Sequence, residues 1–232
     1  MKLRKPYWPL LRHRECLIPT WRGMFLIMFL GTAFMLIAIT NVHSFLAVTE
    51  IVPARVLVVE GWLPDYALEE AMGEFQRHPY QKLYVTGGPL EIGGRLSEYK
   101  TYAELGAATL VHMGMNKSLV EAVPSLYVRQ DRTYASAVAL KKRLLQHASL
   151  RNGINLVSLG VHARRSQMLF QKAFGEDYRV GIIAIQNHAY DSKRWWKFSA
   201  GVRTVVGEFI AYIYALVVFP FESLVDQITW GP

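Results

Sequence analysis

The sequence predicts an α/β fold, a doubly wound, mostly parallel sheet of about five strands preceded by one transmembrane helix. After residue 53, short apolar runs rich in β-branched residues alternate with longer segments of helical period. The runs are uniformly apolar, as suits strands covered on both faces. Nearer the N-terminus, Met24 to Thr40 contains no charged residue, and Phe45-Leu46-Ala47-Val48 extends it towards the roughly 20 residues that span a bilayer.

Residues 1–22 form a basic leader, with Lys2, Arg4, Lys5, Arg12, Arg14 and Arg22 against the single Glu15. The next basic residue beyond the apolar stretch is Arg55. By the positive-inside rule the N-terminus stays in the cytoplasm, residues 23–48 anchor the chain, and residues 49–232 form an extracytoplasmic domain. An uncleaved anchor is expected over a cleaved signal peptide, because no small-x-small cleavage site follows the apolar run. Inner (plasma) membrane localisation with a single pass follows. Of 232 residues 52% are hydrophobic, enough for a core, and much of the net charge of +8 is accounted for by topology. No nucleic acid is expected as a partner, since no basic helix or aromatic-basic sheet motif appears after the anchor. The single cysteine, Cys16, lies in the leader, so the exported domain has no disulfide, no thiol nucleophile and no Cys/His metal site.

The expected strands are Val56–Glu60, Lys82–Thr86, Ser125–Val128, Ile154–Leu159 and Val180–Ile185. The expected helices are about Tyr66–Arg77, Ser97–Met113, Thr133–His147, Arg164–Phe174 and Ser199–Phe219. Glu208 interrupts the last apolar stretch and leaves a piece too short to cross a bilayer, so this helix is expected to be buried or laid against the membrane, with Tyr212, Tyr214 and Trp230 able to mark the interface.

In a parallel sheet all strand C-terminal ends face one crevice, where polar residues converge. Glu60, Gly61 and Asp65 follow the first strand, and Gly87 and Gly88 follow the second. Asp131, Arg132, Thr133 and Ser136 follow the third; His162, Arg164 and Arg165 follow the fourth. Glycine pairs let a backbone approach a ligand, and guanidiniums grip phosphate or carboxylate oxygens two at a time. Glu60 is costly to bury without a cation or hydrogen-bond partner and is a candidate for metal, arginine or substrate hydroxyl. Asp131 fits a helix N-cap. Trp195 and Trp196 are candidates for a pocket wall, a membrane contact or simple packing, while His112, His147 and His188 read as surface residues. No arrangement supports a serine hydrolase.

Taken together, Val56–Glu60 followed by Gly61, Thr86-Gly87-Gly88, Arg132-Thr133-x-x-Ser136 and His162-x-x-Arg165 resemble the ElyC/SanA/YdcF family of membrane-anchored bacterial envelope proteins, from about Val56 to Ile185 and on through Glu208. The resemblance implies a Rossmann-like domain and a link to peptidoglycan, surface-polysaccharide and lipid-carrier metabolism; S-adenosylmethionine binding has also been associated with the family. The chain departs from the pattern at Glu60-Gly61-Trp62, where the family usually has a glycine-rich turn. The family glutamate that follows the Gly-Gly turn matches either Glu98 or Glu104.

Three functions follow as expectations. The first is an enzyme or carrier-handling protein acting on a phosphorylated or lipid-linked envelope precursor. There the arginines clamp phosphate, His162 serves as general acid or base, and Glu60 or Asp131 orients the histidine, positions water or holds a divalent cation. The second is a non-catalytic anionic-ligand module that recruits envelope-assembly proteins. The third, a nucleotide or S-adenosylmethionine binder, lacks an acidic ribose signature after the Gly-Gly turn.

Overall fold

The computed structural model describes residues 19–146 and 153–217. The leader residues before Pro19, and with them Cys16, lie outside the described residues, as do His147, Phe219 and Trp230. Helix α1 (Trp21–Leu46) contains an 18-residue window of mean hydropathy 2.2, long and apolar enough to cross a membrane. Its side chains from Met24 to Leu30 are exposed, which in a 26-residue helix matches a lipid-facing surface.

The domain that follows is built on a five-stranded, all-parallel sheet in the order β3-β2-β1-β4-β5. The strands are β1 (Val56–Glu60), β2 (Lys82–Gly87), β3 (Val120–Pro124), β4 (Ile154–Leu159) and β5 (Val180–Ile185). The connecting helices are α2 (Asp65–Arg77), α3 (Tyr102–His112), α4 (Arg132–Leu145) and α5 (Ala163–Phe174), with α6 (Ser199–Val217) closing the domain. Crossovers run outward in both directions from β1, so the strand order reverses between β1 and β4, the switch point of a doubly wound sheet.

Successive side chains of a strand point to opposite faces, and β1 divides accordingly. Val56 and Val58 join Tyr84, Leu140, Leu156 and Phe170 beneath α4 and α5, whereas Leu57 and Val59 join Leu68, Leu83, Val85 and Leu110 beneath α2 and α3. Each such buried side chain contributes about 1.5–3 kcal/mol relative to exposure, so the uninterrupted apolar strands specify helices on both faces.

Two element boundaries differ from expectation. The third strand is Val120–Pro124, not Ser125–Val128; it lies at the sheet edge, half covered, with the charged Glu121 inside it, so the signature of a strand buried on both faces is absent. Leu126 and Tyr127, apolar enough to read as strand, belong to an exposed loop. Helix α3 begins four residues or more beyond Ser97 because Thr101 and Glu104 form a capping box: the Thr101 hydroxyl accepts from the Glu104 N–H and the Glu104 carboxylate accepts from the Thr101 N–H.

Gly61 sits where β1 turns towards α2. A Cβ there would lie 2.2 Å from the Tyr102 carbonyl oxygen, so only glycine lets the start of α3 pack against the end of β1. At the other end of the domain Trp195 is buried in a short 3-10 segment, Ser192–Lys197, under Gly201 of α6.

Candidate functional site

The C-terminal ends of β1, β2, β3 and β4 border one crevice of about 630 Å³, centred near the switch point and extending over β2 and β3. Beyond β4, Gly160 at φ +49 begins a single 3-10 turn, Gly160–His162, a left-handed conformation that side-chain-bearing residues rarely adopt. That turn leads into α5 and brings the His162 ring beside the end of β1.

Glu60 is 4% exposed, yet its charge is well supported. Its carboxylate accepts hydrogen bonds from Ser158 Oγ at 2.5 Å and from Ser166 Oγ at 3.0 Å, and His162 Nε2 lies 3.6 Å from Oε1, an ionic contact just longer than a hydrogen bond. Burial pushes the Glu60 carboxyl upward, but the His162 charge and the two serine hydroxyls outweigh burial and hold it below its ordinary value.

On the other side of the ring, His162 Nδ1 lies 3.0 Å from Glu208 Oε1, and Arg165 grips the same carboxylate through Nε at 2.9 Å and Nη2 at 3.2 Å. The Trp62 ring meets His162 edge to face at 5.1 Å. Burial alone would lower the His162 pKa; the Glu60 and Glu208 carboxylates overcome it and raise it to about 9. Glu208, pushed up by burial and pulled down further by His162 and Arg165, falls to about 2. At neutral pH the ring is therefore an imidazolium. With Nδ1 donating to Glu208, the Arg165 Nη2 that lies 3.0 Å from the same nitrogen finds no lone pair there. Glu208 contacts both cations and Glu60 completes the balance, so the four side chains carry two negative and two positive charges.

The opposite wall holds backbone and hydroxyl groups. A Cβ on Gly87 would come within 2.8 Å of Tyr102 Cβ, so the chain here stays bare and its peptide edge faces the crevice. Thr86 Oγ1 is buried with no hydrogen-bond partner among the described residues, and Ser136 Oγ donates to Ser125 Oγ at 3.2 Å. Asp131 adopts φ 54 at the N-cap of α4, and its carboxylate makes no capping hydrogen bond, contrary to the expected N-cap role. Arg132 pairs with Glu91 across the mouth, where both are largely exposed.

Of the residues expected at the site, Glu60, Gly87, Gly88, Asp131, Arg132, Thr133, Ser136, His162 and Arg165 line the crevice. Five others do not. Gly61 serves packing against α3. Asp65 is an exposed first residue of α2, and Glu98 is exposed on the loop before α3. Glu104 is committed to the α3 capping box, and its carboxyl is held low by the Lys100 backbone N–H and by Thr101. Arg164 turns away: it donates to the Phe45 carbonyl and stacks over the Phe45 ring at 4.2 Å. Trp195 and Trp196 form no wall of the crevice. Asp131 does not orient His162; Glu60 and Glu208 do. Nor does the acidic set fit a divalent cation, because both ring nitrogens of His162 already face carboxylates, and no cluster of three metal-ligating side chains exists among the described residues. His112 and His188 are exposed, as expected.

Sequence reasoning did not bring Ser158, Glu91 or Tyr127 to the site, and it read Glu208 only as a break in an apolar helix. Glu208 carried a signal: one carboxylate inside an apolar helix needs a cation to repay its desolvation. Ser158, a lone hydroxyl in the apolar run Ile154–Leu159, carried a weaker one.

No protein-family model, curated protein or solved structure matches the chain, and the functional reading therefore stands on the geometry of this crevice.

Proposed function

We propose that the protein is a membrane-anchored envelope protein of the ElyC/SanA/YdcF type that handles a phosphorylated, lipid-carrier-linked precursor in this crevice, on the extracytoplasmic side of the plasma membrane. The observation that carries the reading is the crevice's division into two chemistries. Gly87, Gly88, the orphaned Thr86 hydroxyl and Arg132 offer donors for phosphate oxygens. Trp62, Leu126 and Tyr127 line the same crevice with exposed apolar surface. An amphiphile with an anionic head satisfies both.

In this role Arg132 exchanges Glu91 for the ligand's phosphate. Water attacks the phosphorus as its bond to the leaving oxygen breaks; His162, protonated near neutrality, gives that oxygen a proton from Nε2, whose 3.6 Å contact with Glu60 is longer than a hydrogen bond, while Nδ1 stays on Glu208. The catalytic set is then His162 with Glu60 and Glu208 positioning it; Arg165 fixes Glu208.

A second reading, a non-catalytic anionic-ligand or scaffold module recruiting envelope-assembly proteins, is favoured by one observation. The charges of His162 and Arg165 are already balanced by Glu60 and Glu208, as in a structural network.

The test uses the full chain in lipid nanodiscs with a polyprenyl phosphate, its pyrophosphate and S-adenosylmethionine, following binding and phosphate release. Arg132→Ala is expected to weaken phosphate-ligand binding about 10- to 100-fold, the loss of one charge-assisted hydrogen bond. Release of phosphate that disappears in His162→Gln, with binding retained, supports the enzyme; binding with no release under any condition supports the module. Binding of S-adenosylmethionine alone contradicts both.

A further inference from the structure

Helix α6 is two-sided in a way the crevice does not use. Its inward side presents Gly201, Val205, Glu208, Tyr212 and Ala215, spaced to fall on one helical face. Glu208 binds His162 and Arg165, Tyr212 meets the Phe45 ring at 5.6 Å, and Ala215 packs against Leu169, with its carbonyl accepting from Lys172 Nζ at 2.9 Å. The outward side presents Val202, Val206, Phe209, Ile210, Ile213 and Val217, all exposed, Ile210 by 62%. Between Thr204 and Val217 the only charged residue is Glu208, and it is turned inward.

A helix of 19 residues whose described window has a mean hydropathy of 1.4 is long and apolar enough to cross a bilayer. Crossing would strip Glu208 from a buried network with two cations and place the bare carboxylate in hydrocarbon. The helix is therefore held along the domain, and its apolar stripe is left at the surface.

We propose that this stripe docks on the lipid bilayer, lying in the interface plane with Phe209, Ile210 and Ile213 inserted among the acyl chains. The occupant is identified by the chain itself. Phe45, which packs on Tyr212 of α6, is the penultimate residue of α1, the helix long and apolar enough to cross a membrane. The contact point of α6 is thus tethered to within reach of the membrane surface by covalent continuity alone. Arg164 over the Phe45 ring adds a cation beside an aromatic at that point, the pairing found at membrane interfaces. An interfacial helix buries its apolar face about 5–10 Å into the headgroup and acyl boundary, which the width of this stripe suits. Because Glu208 occupies the inward side of the same turns, the docked helix also carries a carboxylate that holds His162, and the crevice is built against a lipid-bound element.

The proposal concerns position and stands whether or not the crevice binds phosphate. It is tested on the full chain carrying Cys16→Ser, so that an introduced cysteine is the only thiol. Ile210→Cys, Ile213→Cys and, as aqueous controls, Asp65→Cys and Glu98→Cys are spin-labelled and reconstituted in vesicles of phosphatidylethanolamine and phosphatidylglycerol. Collision with molecular oxygen, which concentrates in lipid, is compared with collision with a water-soluble nickel chelate. Oxygen is expected to dominate at positions 210 and 213 and the nickel chelate at 65 and 98, with far-ultraviolet circular dichroism unchanged throughout. Labels at 210 and 213 that collide with nickel as freely as the controls overturn the proposal. So do labels shielded from both reagents, which would place a second copy or another protein on the stripe.

Discussion

Glu60 and His162 are 102 positions apart, and the sheet makes them neighbours because β1 and β4 are adjacent at the switch point. Both were legible, since a carboxylate ending an apolar strand and an imidazole following one break a pattern that burial otherwise enforces. Arg164 and Arg165 were not separable by such a pattern: consecutive helical residues point about 100° apart, and the phase of α5 sends one to Phe45 and the other to Glu208. The charge network makes a pH prediction. The His162 pKa is raised from 6.5 to about 9, so the stability it contributes is complete below pH 6.5 and is lost as pH rises through 9. Glu208, lowered from 4.5 to about 2, contributes fully above pH 4.5 and loses its contribution as pH falls through 2. Thermal denaturation should therefore show a plateau between pH 4.5 and 6.5 and a decline towards pH 9 that His162→Gln abolishes. A decline of equal size in that variant would assign the alkaline loss elsewhere. His162→Ala leaves two buried carboxylates with less compensation and should cost on the order of 3–5 kcal/mol in urea denaturation.

Strands β1, β4 and β5 have the bounds their apolar runs predict, because each is enclosed by neighbours or helices and hydrophobicity alone marks it. Strand β3 escaped because, unlike the other edge strand β5, it is only half covered and carries Glu121 and Pro124 in a five-residue run, and the loop beyond it imitated a strand by carrying apolar residues that line the crevice instead. The start of α3 was written in the chain as Thr101-x-x-Glu104, a capping-box spacing that outweighs the helical-looking stretch before it. Replacing Thr101 with Ala removes the hydroxyl acceptor and should lower stability by about 1 kcal/mol. Gly61→Ala is a harsher change, since its Cβ meets the backbone of Tyr102, and backbone cannot step aside as a side-chain tip can. Overpacking of this kind costs about 1–3 kcal/mol or more, readable as a lower urea midpoint with an unchanged slope. It should also shift α3 relative to Gly87 and so disturb the crevice wall.

For the chain as a whole, composition and charge distribution pointed to the division between an apolar helical segment and an α/β domain, and to the crevice at the switch point. The pairing of Glu208 with His162 and Arg165 was hidden because it joins the last described helix to the fourth strand's turn, and nothing local in an apolar helix names a partner that far away. The same feature explains why α6, hydrophobic enough to pass for a membrane span, is retained on the domain. Much of the net charge of +8 belongs to the basic leader, while the crevice itself gathers Arg129, Arg132, Arg165 and His162 with Glu60, Glu91, Asp131 and Glu208. The proposed anion binding therefore has to rest on placed donors and not on bulk charge. The most direct measurement is therefore the affinity of the full chain, in nanodiscs, for a polyprenyl phosphate, for the polyprenyl alcohol of equal length and for inorganic phosphate, each repeated with Arg132→Ala. The phosphate-bearing amphiphile should bind more tightly than either part alone, and Arg132→Ala should remove about 10- to 100-fold of that affinity. Equal affinity for the alcohol and the phosphate, unchanged by Arg132→Ala, would contradict the crevice as a site for a phosphorylated lipid.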